Sequence, residues 1–289
     1  MYLDSIKYVS DLTGIPKENV KSTLKLLNEG ATIPFISRYR KEWTGSLDEV
    51  QIENIKDYND KFIELEKRKD TVLKSIEEQG KLTSTLKDKI ISCLNLSILE
   101  DIYLPFKQKR KTRADIAKEN GLEPLAKLII SQNYQNILQY ASKYLSKKVL
   151  NIEEALAGAR DIIAEWINEN LIIRDKLRRL FREDSIVKSS VIKGKEEDGI
   201  KYSDYYKYEE KLKKIPSHRM LAIRRGEKEG FLRVSISPST IVAEEIIENY
   251  FIKGKNESSN QVKLAAKDSY KRLLGPSLET ESFSISKEV

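Results

Sequence analysis

Five cations stand within the seven residues KQKRKTR: Lys107, Lys109, Arg110, Lys111 and Arg113, directly after LEDIYLPF. A run of this density attracts phosphates by releasing condensed counterions, and it needs no defined fold to do so. The same composition also makes a solvated loop between two helices, and the residues alone leave both readings open. A second cluster, Arg38, Arg40 and Lys41, lies where the recognition helix of a helix-turn-helix would present cations to a groove. Its aromatic neighbours Phe35 and Tyr39 serve equally well as core. Further on, Tyr202, Tyr205, Tyr206 and Tyr208 stand beside Lys201, Lys207, Lys211, Lys213 and Lys214. That mixture suits stacking on unpaired bases, although tyrosines so closely spaced more often pack half-buried.

Residues suited to turnover are sparse. His218 is the one histidine and Cys93 the one cysteine, so neither a multi-histidine nor a thiolate zinc site can be assembled. His218 follows Ser217 in IPSHRM without the glycines of a nucleophile elbow, and it reads as a structural hydrogen-bonding residue. Gly194 and Gly199 have the glycine spacing of a phosphate loop. Ile200 replaces the lysine, however, and Glu196, Glu197 and Asp198 would repel phosphate. Carboxylates are plentiful on charged helices, and nothing in their spacing selects an acid/base pair. The expectation is a non-enzymatic chain with no catalytic residue, no metal and no cofactor.

The elements that must position these cations follow from composition and period. With 289 residues, 39% hydrophobic and 34% charged, the chain is too apolar for disorder and too charged for a membrane protein, and its length suits about two domains. No stretch approaches the roughly 20 apolar residues that a bilayer requires. The opening MYLDSIKYVS carries an acid at position four and lacks the apolar centre of a secretory signal. A lone cysteine suits a reducing cytoplasm. The net charge of +7 permits a polyanionic partner without requiring one, because both signs are interspersed.

Ile6, Val9 and Leu12 outline a first helix, closed by Gly14. Pro16, Val20, Leu24 and Leu27 outline a second, closed by Gly30, and Thr32 and Pro34 open a third. This is the outline of a helix-turn-helix over residues 1–45. Ser46 and Glu49 have capping-box spacing. From there Ile55, Tyr58, Phe62, Leu65, Val72 and Ile76 form one apolar stripe, interrupted by Lys69, up to Gly80. Asn151 and Glu154 likewise cap a second stripe running from Ala155 to Phe181. Each stripe predicts a helix of more than about 25 residues, on the order of 45 Å long. Thr112 and Asp115 have cap spacing, so the basic run ends where a new helix starts. Shorter helices are expected near 83–94, 98–104, 112–120, 122–131 and 133–145.

Residues 186–192 and 219–236 have strand composition. Leu221, Ile223, Leu232 and Val234 are expected on one face of a hairpin whose loop is Gly226 to Gly230. Helices return at 238–252 and 258–275, and PSLETESFSISKEV is expected to be a polar linker with no partner element. Neither repeats nor low-complexity tracts occur. The fold class is therefore mainly α: an elongated multi-helix scaffold over 46–184 with its basic linker, a small α/β segment over 185–257, and a helix with a linker over 258–289.

Five blocks carry a resemblance. GATIPFISRYRKEWTGSLDEVQI, SIEEQGKLT, LEDIYLPFKQKRKTRADIAKENGLEPLA, EEALAGARDIIAEWI and IPSHRMLAIRRGEKEGFLRVSI closely resemble the N-terminal region of the Tex family of bacterial transcription accessory proteins, in the family's order and across roughly residues 30 to 236. KDSYKRLLGPSLE is more weakly similar. The resemblance implies an elongated helical scaffold with a helix-turn-helix module, a role in transcription and nucleic-acid binding, and kinship in architecture with a eukaryotic elongation factor. It also implies a continuation into RNase-H-like, helix-hairpin-helix and OB-fold RNA-binding domains, so this chain is expected to be part of a longer protein with an apolar patch near Leu273, Leu274 and Leu278 left for the next domain. No catalytic residue of the family falls on these positions. The expected partners are nucleic acid, bound weakly and without sequence preference, the transcription machinery, and the downstream domains of the parent chain. The alternative is a protein-interaction scaffold whose positive charge serves solubility.

Overall fold

The computed structural model of the chain describes residues 2–107, 110–133 and 136–285. It is mainly α, with one small three-stranded antiparallel sheet, and it divides into two units, Met1–Lys107 and Gln108–Val289.

In the first unit, helices α1 (Tyr2–Thr13), α2 (Lys17–Asn28), α3 (Ile33–Tyr39) and α4 (Lys41–Thr44) lead into α5 (Glu49–Glu78). Ile6, Val9, Val20, Leu24 and Ile36 close on Ile52 and Ile55 of α5 as one core. Leu12 of the expected α1 stripe is instead half exposed. Farther along α5, Leu65, Val72 and Ile76 pack with α6 (Ser84–Ser92) and α7 (Leu96–Tyr103) through Ile90, Leu99 and Tyr103.

With 30 residues, α5 spans about 45 Å, as its apolar stripe predicts. Its cap lies two residues beyond the expected one. Asp48 accepts from the Gln51 N–H at 2.7 Å, and the Gln51 side chain accepts from the Asp48 N–H at 3.0 Å. Ser46 is occupied elsewhere, because its N–H closes the end of α4 on the Lys41 carbonyl at 2.8 Å, in left-handed backbone (φ 62°). Lys69, the polar intruder, is buried with its charge satisfied by Glu66 at 2.7 Å and the Ile91 carbonyl at 2.8 Å.

The second unit begins with α8 (Arg113–Glu119), α9 (Glu123–Ser131) and α10 (Ile137–Ala141), followed by α11 (Ile152–Asn168) and α12 (Leu171–Asp184). The expected long helix from Asn151 is thus two helices. Its Asn151 cap is present, but Asn170 starts a new helix by accepting from the Ile173 N–H at 3.0 Å, and the Arg174 guanidinium folds back onto Asn168 at 3.3 Å. Ala155, Ala159 and Ala164 keep α11 slim where α8, α9 and a later helix, Glu257–Ser269, pack on it.

Strands β1 (Ile186–Val191) and β2 (Lys207–Lys211), helix α13 (Ser217–Lys228) and strand β3 (Leu232–Ser237) follow, with sheet order β2-β1-β3. The expected strand over 219–228 is corrected to helix. Met220 and Ile223 are buried at helical spacing, whereas Leu221, placed inward by strand alternation, is 67% exposed. Helix α14 (Thr240–Phe251) and α15 (Glu257–Ser269) then run into a π turn at Tyr270–Leu274 and helix α16 (Gly275–Ile285).

That last helix corrects the expected linker over 276–285; residues 286–289 lie outside the described residues. Leu278 is buried in the helical core while Phe283 packs on the sheet core, and of the patch expected at Leu273, Leu274 and Leu278 only Leu273 stays partly exposed. Glu279 accepts from the Ile236 N–H of β3 at 2.8 Å, and Glu281 pairs with Arg178 of α12 at 2.6 Å.

Candidate nucleic-acid interface

Helix α3 is short and anchored by one buried apolar side chain, Ile36, together with Ser37. The Ser37 hydroxyl lies 3.1 Å from the Pro34 carbonyl and 3.3 Å from Glu49. Thr32 occupies the N-cap position as expected, but its hydroxyl makes no capping bond. Ile33 packs partly buried on the same core, and the remaining side chains of α3, Pro34, Phe35, Arg38 and Tyr39, are exposed. Phe35 is 39% exposed and Tyr39 68% exposed, with ring centroids 5.4 Å apart.

The helix breaks at Arg40, where α4 begins. Gly45 ends α4 with φ 73°, and it does so against Asn19 of α2: a Cβ there would meet the Asn19 amide nitrogen at 2.3 Å. This close approach sets α4 beside α2 and opens a groove of about 910 Å³ between them. Lys21, Lys25 and Leu26 line one wall, and Phe35, Arg40 and Trp43 line the other. Trp43 is 62% exposed, and the Arg40 guanidinium lies 5.0 Å from the Phe35 ring centre. Glu18 and Glu29 also border the groove, the latter 3.9 Å from Lys25.

All three predicted cations of this cluster are on the surface. Arg38 is partly engaged by Glu49 at 3.6 Å, Arg40 donates to the Tyr39 carbonyl at 3.1 Å, and Lys41 is exposed. Sequence reasoning missed Trp43, Lys21 and Lys25. Trp43 lies beyond the break at Arg40, so no helical spacing ties it to Tyr39, and the two lysines come from another helix.

The basic run is less uniform. Lys107 is the last residue of the first unit and is exposed; Lys109 lies outside the described residues. In the second unit, Arg110 is exposed, and Lys111 holds Glu119 at 2.5 Å. The expected cap is present. Thr112 accepts from the Asp115 N–H at 3.1 Å, and Asp115 accepts from the Thr112 N–H at 2.9 Å.

Behind that cap is a charged layer in which buried Glu165 takes Lys118 at 2.9 Å, and Asp161 takes Arg272 at 3.2 Å. Burial pushes the Asp161 carboxyl above its ordinary range. Arg272 opposes this most, and Arg113 also opposes it. Arg113 itself is exposed in the first turn of α8.

The tyrosine cluster belongs to packing. Tyr202 is buried beside Phe231, Tyr205 meets Tyr208 edge-on, and Tyr206 donates to the Glu196 carbonyl at 2.5 Å. His218 stands exposed in the first turn of α13. Among the described residues, no group of three or more His, Cys, Asp or Glu side chains is placed to hold a metal ion, and no helix is long and apolar enough to cross a membrane.

Comparison with known proteins bears on the whole chain. Residues 3–77 match the family model of the Tex-like protein N-terminal domain, and residues 132–282, more than half of the chain, match that of the Tex central region. The chain belongs to the Tex family. Among its relatives, the protein YdcI of Bacillus subtilis is 41% identical over 93% of this chain and 38% of its own length. The transcriptional accessory protein Tex of Neisseria gonorrhoeae is 42% identical over 75% of this chain and 29% of its own length. S1 RNA-binding domain-containing protein 1 of Pongo abelii is 27% identical over 96% of this chain and 29% of its own length. The chain thus spans well under half of these Tex and Tex-like relatives.

Proposed function

We propose that this chain is a non-enzymatic, nucleic-acid-contacting and scaffolding part of a cytoplasmic Tex-family transcription accessory protein. The observation that carries the reading is the α3–α4 surface, where Arg38, Arg40 and Lys41 project beside exposed aromatic rings. The names of relatives, one a transcriptional accessory protein and another an S1 RNA-binding domain protein, support it. Contact is electrostatic and independent of sequence, through these cations and through Lys107, Lys109, Arg110, Lys111 and Arg113. Exposed ion pairs such as Lys111 with Glu119 contribute only about 0–1 kcal/mol, so a phosphate displaces the carboxylate at little cost. The transcription machinery and further domains of the parent chain are the partners of the scaffold.

Filter binding of mixed RNA and DNA across salt tests the proposal. Affinity should fall steeply, with a slope of about −0.9 per phosphate contacted on duplex DNA. Replacing the five cations of the run by Ser should flatten that slope; unchanged affinity and slope reduce the run to a solvated connector. A protein-docking reading is favoured by one observation, the exposed apolar side chains Ile91, Leu94, Leu96 and Ile98 around the α6–α7 turn. It takes precedence if the unsubstituted chain binds neither nucleic acid.

A further inference from the structure

We propose that the α2–α4 groove binds single-stranded nucleic acid, with unpaired bases stacked on Phe35 and Trp43 in the groove and on Tyr39 beside it, and phosphates held by Lys21, Lys25 and Arg40. This deepens the nucleic-acid reading above and rests on it.

Phe35 and Tyr39 are four residues apart on α3 and so share one face. Trp43 joins Phe35 at the groove, and all three rings are substantially exposed. Large aromatic rings left in water beside cations are the composition of a stacking platform, since every base offers a π face while the backbone follows the positive charge. Arg40, already lying over Phe35 at 5.0 Å, offers a second planar surface on which a base can stack.

The chemistry of the walls separates this occupant from others. Aliphatic lining is confined to Leu26 and Ala31, and the three cations Lys21, Lys25 and Arg40, on both sides, outnumber the two carboxylates Glu18 and Glu29, which favours a polyanion over an apolar peptide face. Duplex DNA keeps its base faces internal and is read through groove edges by Arg, Asn or Gln side chains. Here the outward positions of α3 carry the rings of Phe35 and Tyr39 with a single arginine, Arg38, between them, so ring faces outnumber the side chains that could read groove edges. At about 910 Å³ the groove is at the upper end of the roughly 300–1,000 Å³ range of ligand clefts, and it is bordered by side chains that accept an extended strand more readily than a compact metabolite.

The 289-residue chain should be titrated with oligothymidylate, an abasic oligomer of the same length, and a duplex of the same length, at one salt concentration. Single strand should bind about tenfold or more tighter than either control, because the abasic oligomer keeps the phosphates and loses the stacking. Phe35→Leu and Trp43→Leu should each weaken single-strand binding by about 5- to 150-fold while leaving abasic affinity and the salt slope unchanged. Oligothymidylate should also quench Trp43 fluorescence, a signal assigned by its loss in Trp43→Phe, since Trp166 is the other tryptophan.

Equal affinity for all three probes overturns the stacking proposal and leaves phosphate contact standing. Preference for the duplex overturns it in favour of a groove reader, and no binding to any probe overturns both readings. Should a leucine variant lose its helical circular dichroism, the unsubstituted chain decides: a bound single strand that leaves Trp43 unquenched overturns the proposal.

Discussion

Glu229, just after the last turn of α13, is held both by a partner one helical turn away and by one distant in sequence. Lys201 approaches it at 2.6 Å and Arg225 at 3.0 Å. The hydrogen bond from Lys201 is the largest cause of a carboxyl pKa lowered from 4.5 to about 2. The folded value lies below the unfolded one, so the contribution to stability is present above about pH 4.5 and is lost as pH falls through about 2. Lys201 also lies over the Tyr202 and Phe231 rings, so the pair ties the Ile200–Tyr205 turn to the end of α13. A carboxyl NMR titration should give Glu229 a midpoint near 2, and Lys201→Ala should return it toward the ordinary range. An unmoved midpoint would assign the effect to Arg225 and Tyr202 instead. No spacing rule links residues 201 and 229, and the pairing of Arg38 with Glu49 is equally invisible in the sequence. The cations of the candidate interface were legible because residue type alone marks them; their carboxylate partners and the lysines of the facing helix were not.

At the scale of elements, legibility tracked how local the deciding interaction is. The α5 stripe needs only its own period, and Lys69 stood out as an exception that burial beside Glu66 explains. The α11–α12 break turns on Asn170, whose cap competes with continuation of the helix over a single residue. A stripe of apolar residues cannot register that competition. The expected hairpin failed for a related reason. Leu221 and Ile223 alternate as in a strand, yet Met220, Ile223 and Gly226 recur every three residues as on a helix, and contact with β3 favours the second pattern.

Gly226 makes this testable. A Cβ at this helical position would meet buried Leu232 at 2.7 Å and the Tyr202 ring at 3.1 Å. Gly226→Ala gains helix propensity of roughly 1 kcal/mol but overpacks the α13–β3 contact, which costs about 1–3 kcal/mol. We expect a net loss of stability in denaturant titration, where a glycine in an exposed hairpin loop without positive φ would tolerate alanine. The α16 helix carries the same lesson. Its polar composition reads as a linker, and only the contacts of Leu278, Glu279 and Phe283 with two different cores make it a clasp.

For the whole molecule, each unit carries its own hydrophobic interior. Residues Ile6 to Tyr103 supply the cores of the first, and residues Ala114 to Leu278 with the sheet cluster supply those of the second. Units with separate cores are free to unfold separately, and single-transition behaviour then fails. Calorimetry should therefore give a van't Hoff enthalpy below the calorimetric one. Brief trypsin treatment should cut first at exposed Lys107, Arg110 or Lys111, ahead of the many lysines and arginines held in helices. If both products keep their helical circular dichroism, the nucleic-acid contacts can be divided between them. The fragment ending near Lys107 contains Phe35, Tyr39, Trp43 and both walls of their groove, so it should retain the preference for single strands while its partner fragment shows only salt-sensitive phosphate binding. First cleavage inside α5, or one transition with equal enthalpies, would show that the units unfold together and that such a division cannot be made.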